Sequence, residues 1–184
     1  MWYPGATYHV MSRGNRRNAI FADTSDYIWF LEYMKKIKEK YPFKIHSICL
    51  MTNHFHMAIE TGDDELWNIM QKVLSVYAEE YNHKYHYTGH LFEGRYVSRI
   101  IEDERYFLEV SRYIHLNPVK AQMVKSPLDY EYSSYGLFVN PPENRSGNKK
   151  RRAFALMTEI VETDRILDAF RHSSSEQYRG TFSG

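Results

Sequence analysis

Two strand-length runs lie between Lys44 and Glu60, separated only by Thr52 and Asn53, and this spacing strongly restricts how the chain folds. The first, Lys44 to Met51 (KIHSICLM), is an apolar run suited to a buried strand. The second, His54 to Glu60 (HFHMAIE), alternates. His54, His56, Ala58 and Glu60 share one face, and Phe55, Met57 and Ile59 share the other. Two such runs joined by a two-residue turn predict an antiparallel hairpin.

The segments around it extend that pattern. Thr7 to Arg13 alternates in strand fashion and ends at Gly14-Asn15. Thr24, Ser25 and Asp26 offer helix caps before Asp26 to Lys40, where Tyr27, Phe30, Leu31, Met34 and Ile37 recur at helical spacing. A second helix is predicted over about Asp64 to His86, led by the acids Asp63 to Glu65. Tyr96 to Ile101 is a fourth strand candidate. A third helix is predicted from Asp103 to about Leu116, limited by Pro118 because the residue before a proline is disfavoured in helical conformation. The order β-α-β-β-α-β followed by a helix predicts an α+β fold, a split-βαβ ferredoxin-like antiparallel sheet with helices on one face. Residues 1–140 form the expected domain. Residues 141–152 read as a polar, basic linker and 153–184 as a short helical tail.

Composition narrows the function classes. The 184 residues carry 24 Lys+Arg against 23 Asp+Glu, a net charge of +1. Any nucleic-acid surface therefore comes from local clustering, not bulk charge. The single cysteine, Cys49, excludes an intrachain disulfide and suits a reducing cytoplasm. No segment approaches the roughly 18 apolar residues that span a bilayer, and the first residues carry no secretory pattern, so a cytoplasmic, membrane-free protein is expected.

Two motifs can carry chemistry. His54 and His56 stand at i and i+2 on one strand face, where two imidazoles can share a divalent ion; taken alone, the pattern more often means two half-exposed histidines with no ligand role. Tyr113 and Asn117 stand at i and i+4 on one helix face. A tyrosine there could attack phosphorus, and an amide oxygen one turn on is a hard metal ligand; alone, Tyr113 is one of sixteen tyrosines and Asn117 a cap before Pro118. Together they describe a metal with open positions for a phosphate oxygen beside a nucleophile that forms a covalent intermediate. Arg13, Arg16 and Arg17 cluster after the first strand, where Gly14 would let the backbone approach a phosphate, and Arg95 and Arg99 flank the fourth strand. All five fit phosphate contact, with Phe92 and Tyr96 as possible base-stacking neighbours. His9 and His46 read as packed polar groups in strands, and His115 faces away from Tyr113. The loop histidines His83, His86 and His90 suit a metal less well.

The chain resembles the single-tyrosine HUH transposases, and among them the group associated with repetitive extragenic palindromes (REP). The resembling blocks are Tyr8 to Phe21 (YHVMSRGNRRNAIF), Cys49 to Glu60 (CLMTNHFHMAIE), Gly89 to Phe107 (GHLFEGRYVSRIIEDERYF), Arg112 to Val124 (RYIHLNPVKAQMV) and Asp129 to Tyr135 (DYEYSSY). Thr52 stands where the family usually has proline, and Gln122 where glycine is common. The resemblance implies an HUH-type fold with its nucleophile on an additional helix: Tyr113 as nucleophile, His54, His56 and Asn117 as metal ligands, and Mg²⁺ or Mn²⁺ as cofactor. It further implies cleavage and rejoining of single-stranded DNA at imperfect hairpins through a 5′-phosphotyrosine, by a monomer or homodimer. The alternatives are a domesticated hairpin-binding relative with a host role, and an RNA-binding module on the same scaffold. The second lacks the aromatic motif expected on its third strand.

Overall fold

A computed structural model describes residues 2–139 and 152–171. Strands β1 (Thr7–Arg13), β2 (Phe43–Leu50), β3 (His54–Thr61) and β4 (Val97–Ile100) form one sheet in the order β2-β3-β1-β4, with every pairing antiparallel. Helices α1 (Thr24–Lys40) and α2 (Leu66–Tyr85) complete the split-βαβ unit, and α3 (Glu104–Lys120) follows β4. A short helix α4 (Tyr135–Val139) and the pair α5 (Arg152–Ile160) and α6 (Asp164–Arg171) complete the described chain.

Strand alternation divides the sheet into two chemically different faces. Tyr8, Val10, Phe55, Met57 and Ile59 are buried on the face covered by α1 and α2. There Phe21, Phe30, Phe55 and Tyr77 pack with ring centroids 5.1–5.6 Å apart. Edge and tilted contacts of this kind suit aromatic quadrupoles. The opposite face carries His9, Met11 and Arg13 beside His54, His56 and Glu60, in a register that sets Met11 against His56 and Arg13 against His54.

Helix α1 is capped by Asp23, one residue before the candidates offered by the sequence. Its carboxylate accepts from the Ser25 and Asp26 amides, and Asp26 reaches back to the Asp23 amide to close a capping box. Asp26 is fully buried, and its charge is met by Lys84 Nζ at 2.8 Å and the Tyr85 hydroxyl at 2.8 Å, which ties α1 to the end of α2. Burial without such partners would be costly.

The outer edge of β2 is closed by two later segments. Leu50 and Ser134 amides donate to Tyr132 and Ile48 carbonyls at 2.9 Å, and the Glu162 amide donates to the Ile45 carbonyl at 2.7 Å. Covering an edge this way removes a template for aggregation. Helix α5 packs on α1, and Arg165 of α6 lies 3.9 Å over the Phe107 ring while bonding Glu104 and Thr7. Residues 153–171 thus lie against both α1 and the start of α3. Residues 141–151 of the expected linker and 172–184 of the expected tail lie outside the described residues.

Helix α3 corrects one sequence expectation. It runs through Pro118 to Lys120 instead of stopping near Leu116. Pro118 and Asn117 are buried, so packing compensates the single helical bond that proline forfeits close to the helix end. The continuation keeps Asn117 on the same helical face as Tyr113.

Candidate active site

Antiparallel pairing brings β3 to the middle of the sheet and aims His54 and His56 at the face opposite α1 and α2. Their rings stand 5.1 Å apart, nearly perpendicular. The His54 Nδ1 lies 2.7 Å from the Asn53 side-chain oxygen, so Nδ1–H donates and Nε2 keeps its lone pair. The Asn53 amide is itself oriented, because its Nδ2 donates to the Arg17 carbonyl at 3.1 Å. Burial pushes the His54 pKa below its ordinary value and Arg13 adds to the shift, while the Asn117 oxygen, which could accept from the charged ring, opposes it. Burial lowers His56 further, to about 3, helped by His9 and His54. Both rings are therefore neutral near pH 7, the form that ligates a metal.

Helix α3 crosses the same face. The Tyr113 ring stands 5.4 Å from that of His56 and 5.7 Å from that of His9, edge-on to both, and is 40% exposed. Asn117 Nδ2 donates to the Tyr113 carbonyl at 3.0 Å, which leaves its oxygen as the group that meets His54. The His54 Nε2 lone pair and the Asn117 oxygen are then two electron-pair donors side by side, an arrangement that a cation satisfies. Among the described residues no group of three His, Cys, Asp or Glu converges to hold a metal, and the Asn117 amide oxygen is a neutral donor that could join the histidine pair. The donor set thus fits a hard divalent ion.

A groove of about 510 Å³ runs beside this cluster, lined by His9, His56, Val97, Arg99, Tyr106 and Tyr113 among others. Arg99 stands opposite His9 in the β1–β4 register. A second recess of about 260 Å³ next to it includes Arg13 and Arg95. Arg13 pairs with Glu93 at 2.7 Å, whereas Arg95 and Arg99 are exposed. Arg16 and Arg17 are exposed on a short 3₁₀ turn with φ of 53° and 60°. Left-handed backbone at two successive non-glycine residues costs roughly 1–2 kcal/mol each. Here it is held by the Arg17 amide on the Gly14 carbonyl and by Asn53 on the Arg17 carbonyl. Gly14 itself serves this turn, because a Cβ there would meet the Asn18 carbonyl oxygen at 2.1 Å.

The other candidates divide between core and surface. Phe92 and Tyr96 pack partly against the core, Phe92 lying 6.4 Å from the Tyr77 ring. His46 is buried and bonded to Glu60 at 2.9 Å, as a packed strand histidine should be. His115 is fully buried on α3, bonded to Ser134 Oγ at 2.8 Å. His83, His86 and His90 are exposed. His9, in contrast, is more than a packed group: its Nε2 lies 3.0 Å from His56 Nδ1 and it lines the groove. The sequence signal was its alternation with Met11 and Arg13, but which face those residues share depends on register. Lys120 was also missed. Its Nζ lies 4.7 Å over the Tyr113 ring, and the spacing of Tyr113, Asn117 and Lys120 at i, i+4 and i+7 already placed it on the same helical face.

A family model described as IS200-like transposase matches residues 3–117. A Haemophilus influenzae protein assigned as a REP-associated tyrosine transposase is 27% identical over 140 residues, covering 67% of this chain and 79% of its own length. The REP-associated tyrosine transposase of Escherichia coli K12 is 22% identical over 133 residues, covering 71% and 76%. The solved structure of a REP-associated tyrosine transposase bound to a REP hairpin superposes with a TM-score of 0.65 at 21% identity, covering 80% of this chain and 89% of that one, which shows the shared fold.

Proposed function

The chain belongs to the IS200-like transposase family, and from that premise we propose that it cuts and rejoins single-stranded DNA beside hairpins, with Tyr113 as nucleophile and His54, His56 and Asn117 as the ligands of a divalent metal ion. The observation that carries this reading is the meeting of two distant motifs: the Tyr113 ring lies 5.4 Å from His56 while the Asn117 side chain, one turn along, stands beside His54.

Mg²⁺ or Mn²⁺ bound there would polarise the scissile phosphodiester and offset charge developing on its oxygens. The chain's own residues do the rest. The Tyr113 oxygen bonds to phosphorus as the bond to the 3′-oxygen breaks, which leaves a 5′-phosphotyrosine and, once that oxygen takes a proton, a free 3′-OH. The new ester keeps the bond energy of the old one, so a 3′-OH can reverse the step without another energy source. Lys120 beside the Tyr113 ring, Arg99 in the groove, Arg13 and Arg95 in the recess next to it, and Arg16 and Arg17 on the exposed turn after β1 supply positive charge for the strand. A hairpin with an unpaired flank suits this layout, because the tyrosine needs an accessible phosphodiester next to a rigid shape. REP-hairpin binding by the solved relative supports that choice of partner.

The test is incubation with single-stranded DNA from the flanks of the chain's own gene, with and without Mn²⁺, read on a denaturing gel. A covalent adduct is expected from the wild type and none from Tyr113→Phe, while hairpin binding survives because only the hydroxyl is removed. Cleavage retained in Tyr113→Phe overturns the assignment and turns attention to Tyr106 in the groove. Tyr130 is a poor substitute, because its hydroxyl donates to the Leu50 carbonyl at 2.7 Å.

A further inference from the structure

His9 stands on β1 opposite Ala58, two residue pairs along from the Met11–His56 pair and on the same face of the sheet. Diagonal neighbours on antiparallel strands lie within reach of long or aromatic side chains, and the small Ala58 side chain leaves room for the His9 ring to lean toward His56. The two rings lie 5.2 Å apart at 30°, with His9 Nε2 3.0 Å from His56 Nδ1. One of these nitrogens must carry the hydrogen, and a neutral imidazole carries only one. If His9 donated, His56 would hold its hydrogen on Nε2 and have no nitrogen left for an ion. If His56 donates from Nδ1, its Nε2 is free. His54 is already set in that form by a different neighbour, Asn53.

We propose that His9 is a positioning residue: it accepts from His56 Nδ1–H and so holds His56 in the tautomer and orientation whose Nε2 can ligate a cation. This rests on the reading that the histidine pair binds a divalent metal. Partners of this kind fix ring tautomer, and their removal commonly weakens metal binding by about 10–100-fold. Asn53 and His9 thereby divide the task between the turn before β3 and the neighbouring strand.

The experiment uses the full chain. Nitrogen-15 histidine labelling of the metal-free wild type, with a His56 variant to assign its ring, reads the tautomer directly. The expected spectrum has His56 protonated on Nδ1 and bare on Nε2. Calorimetric titration with Mn²⁺ then compares three proteins. His9→Ala should bind about 10–100-fold more weakly than wild type. His9→Gln, whose amide oxygen can take the place of Nε2 as acceptor, should recover most of that affinity. A hydrogen on His56 Nε2, unchanged Mn²⁺ affinity in His9→Ala, or a His9→Gln as weak as His9→Ala each overturns the proposal. A wild type that binds no Mn²⁺ instead overturns the metal reading of the pair, while the spectrum decides the hydrogen bond independently.

Discussion

Acidification should loosen this protein through its buried histidines, and His115 allows the effect to be isolated. His115 sits two residues from Tyr113 but on the opposite, fully buried side of α3, where its Nε2 meets Ser134 Oγ at 2.8 Å and its ring packs against Tyr135 and Phe138. Burial pushes its pKa from 6.5 to about 3. Between those values the unfolded chain takes up a proton that the folded one refuses, so stability rises with pH in this window and falls as pH drops through it. A pH of about 5 lies about 1.5 units below the pKa of the unfolded group, which amounts to about 2 kcal/mol lost relative to neutral pH. His56, pushed to about 3 in the same way, adds a similar amount. A loss of about 4 kcal/mol is a large share of the roughly 5–15 kcal/mol that typically separates folded from unfolded states. Asp23 and Glu60 act elsewhere: both pKa values lie below the ordinary 3.8 and 4.5, so their contributions are present above those values and lost only at lower pH. Urea unfolding at about pH 7 and about pH 5, followed by circular dichroism, measures the drop. In His115→Gln, which keeps a hydrogen-bonding group but cannot titrate, the drop should shrink by about 2 kcal/mol. An identical drop in the variant and the wild type refutes the reasoning.

Two further outcomes follow from the site. His54→Ala and His56→Ala should each abolish Mn²⁺ binding in a calorimetric titration and with it metal-stimulated cleavage, whereas Asn117→Ala should be milder because water can replace a neutral oxygen ligand; unchanged affinity in both histidine variants places any metal elsewhere. Replacing Arg16 and Arg17 together with alanine should weaken hairpin binding and lower the salt slope by roughly 0.7–0.9 for each phosphate no longer neutralised. Fluorescence anisotropy at several salt concentrations checks this, and an unchanged slope removes these arginines from the interface.

The local patterns were legible because they are periodic. Alternation in His54 to Glu60 put both histidines on one strand face, and the i, i+4 spacing put Tyr113 and Asn117 on one helix face, before any tertiary contact was known. The same patterns yielded the element order and hence the split-βαβ sheet. The end of α3 was misjudged at Pro118, since backbone preference argues for a stop while burial of Asn117 and Pro118 carries the helix on. The reading of Gly14 was incomplete for a similar reason: what excludes a side chain there is the Asn18 carbonyl folding back over it.

What the sequence determines alone is therefore the set of elements, the faces on which the histidines, Tyr113 and Asn117 sit, and, through its ordered motif blocks, the family. Only the tertiary structure decides who meets whom across the chain. His9 and His56 are 47 residues apart and touch because of a β1–β3 register that no local period encodes. Tyr113 reaches the histidine pair because α3 lies across the face opposite α1 and α2, a choice made by buried packing summed over the whole sheet. Periodicity is a property of neighbours along the chain, whereas register and helix docking depend on contacts between segments far apart in it.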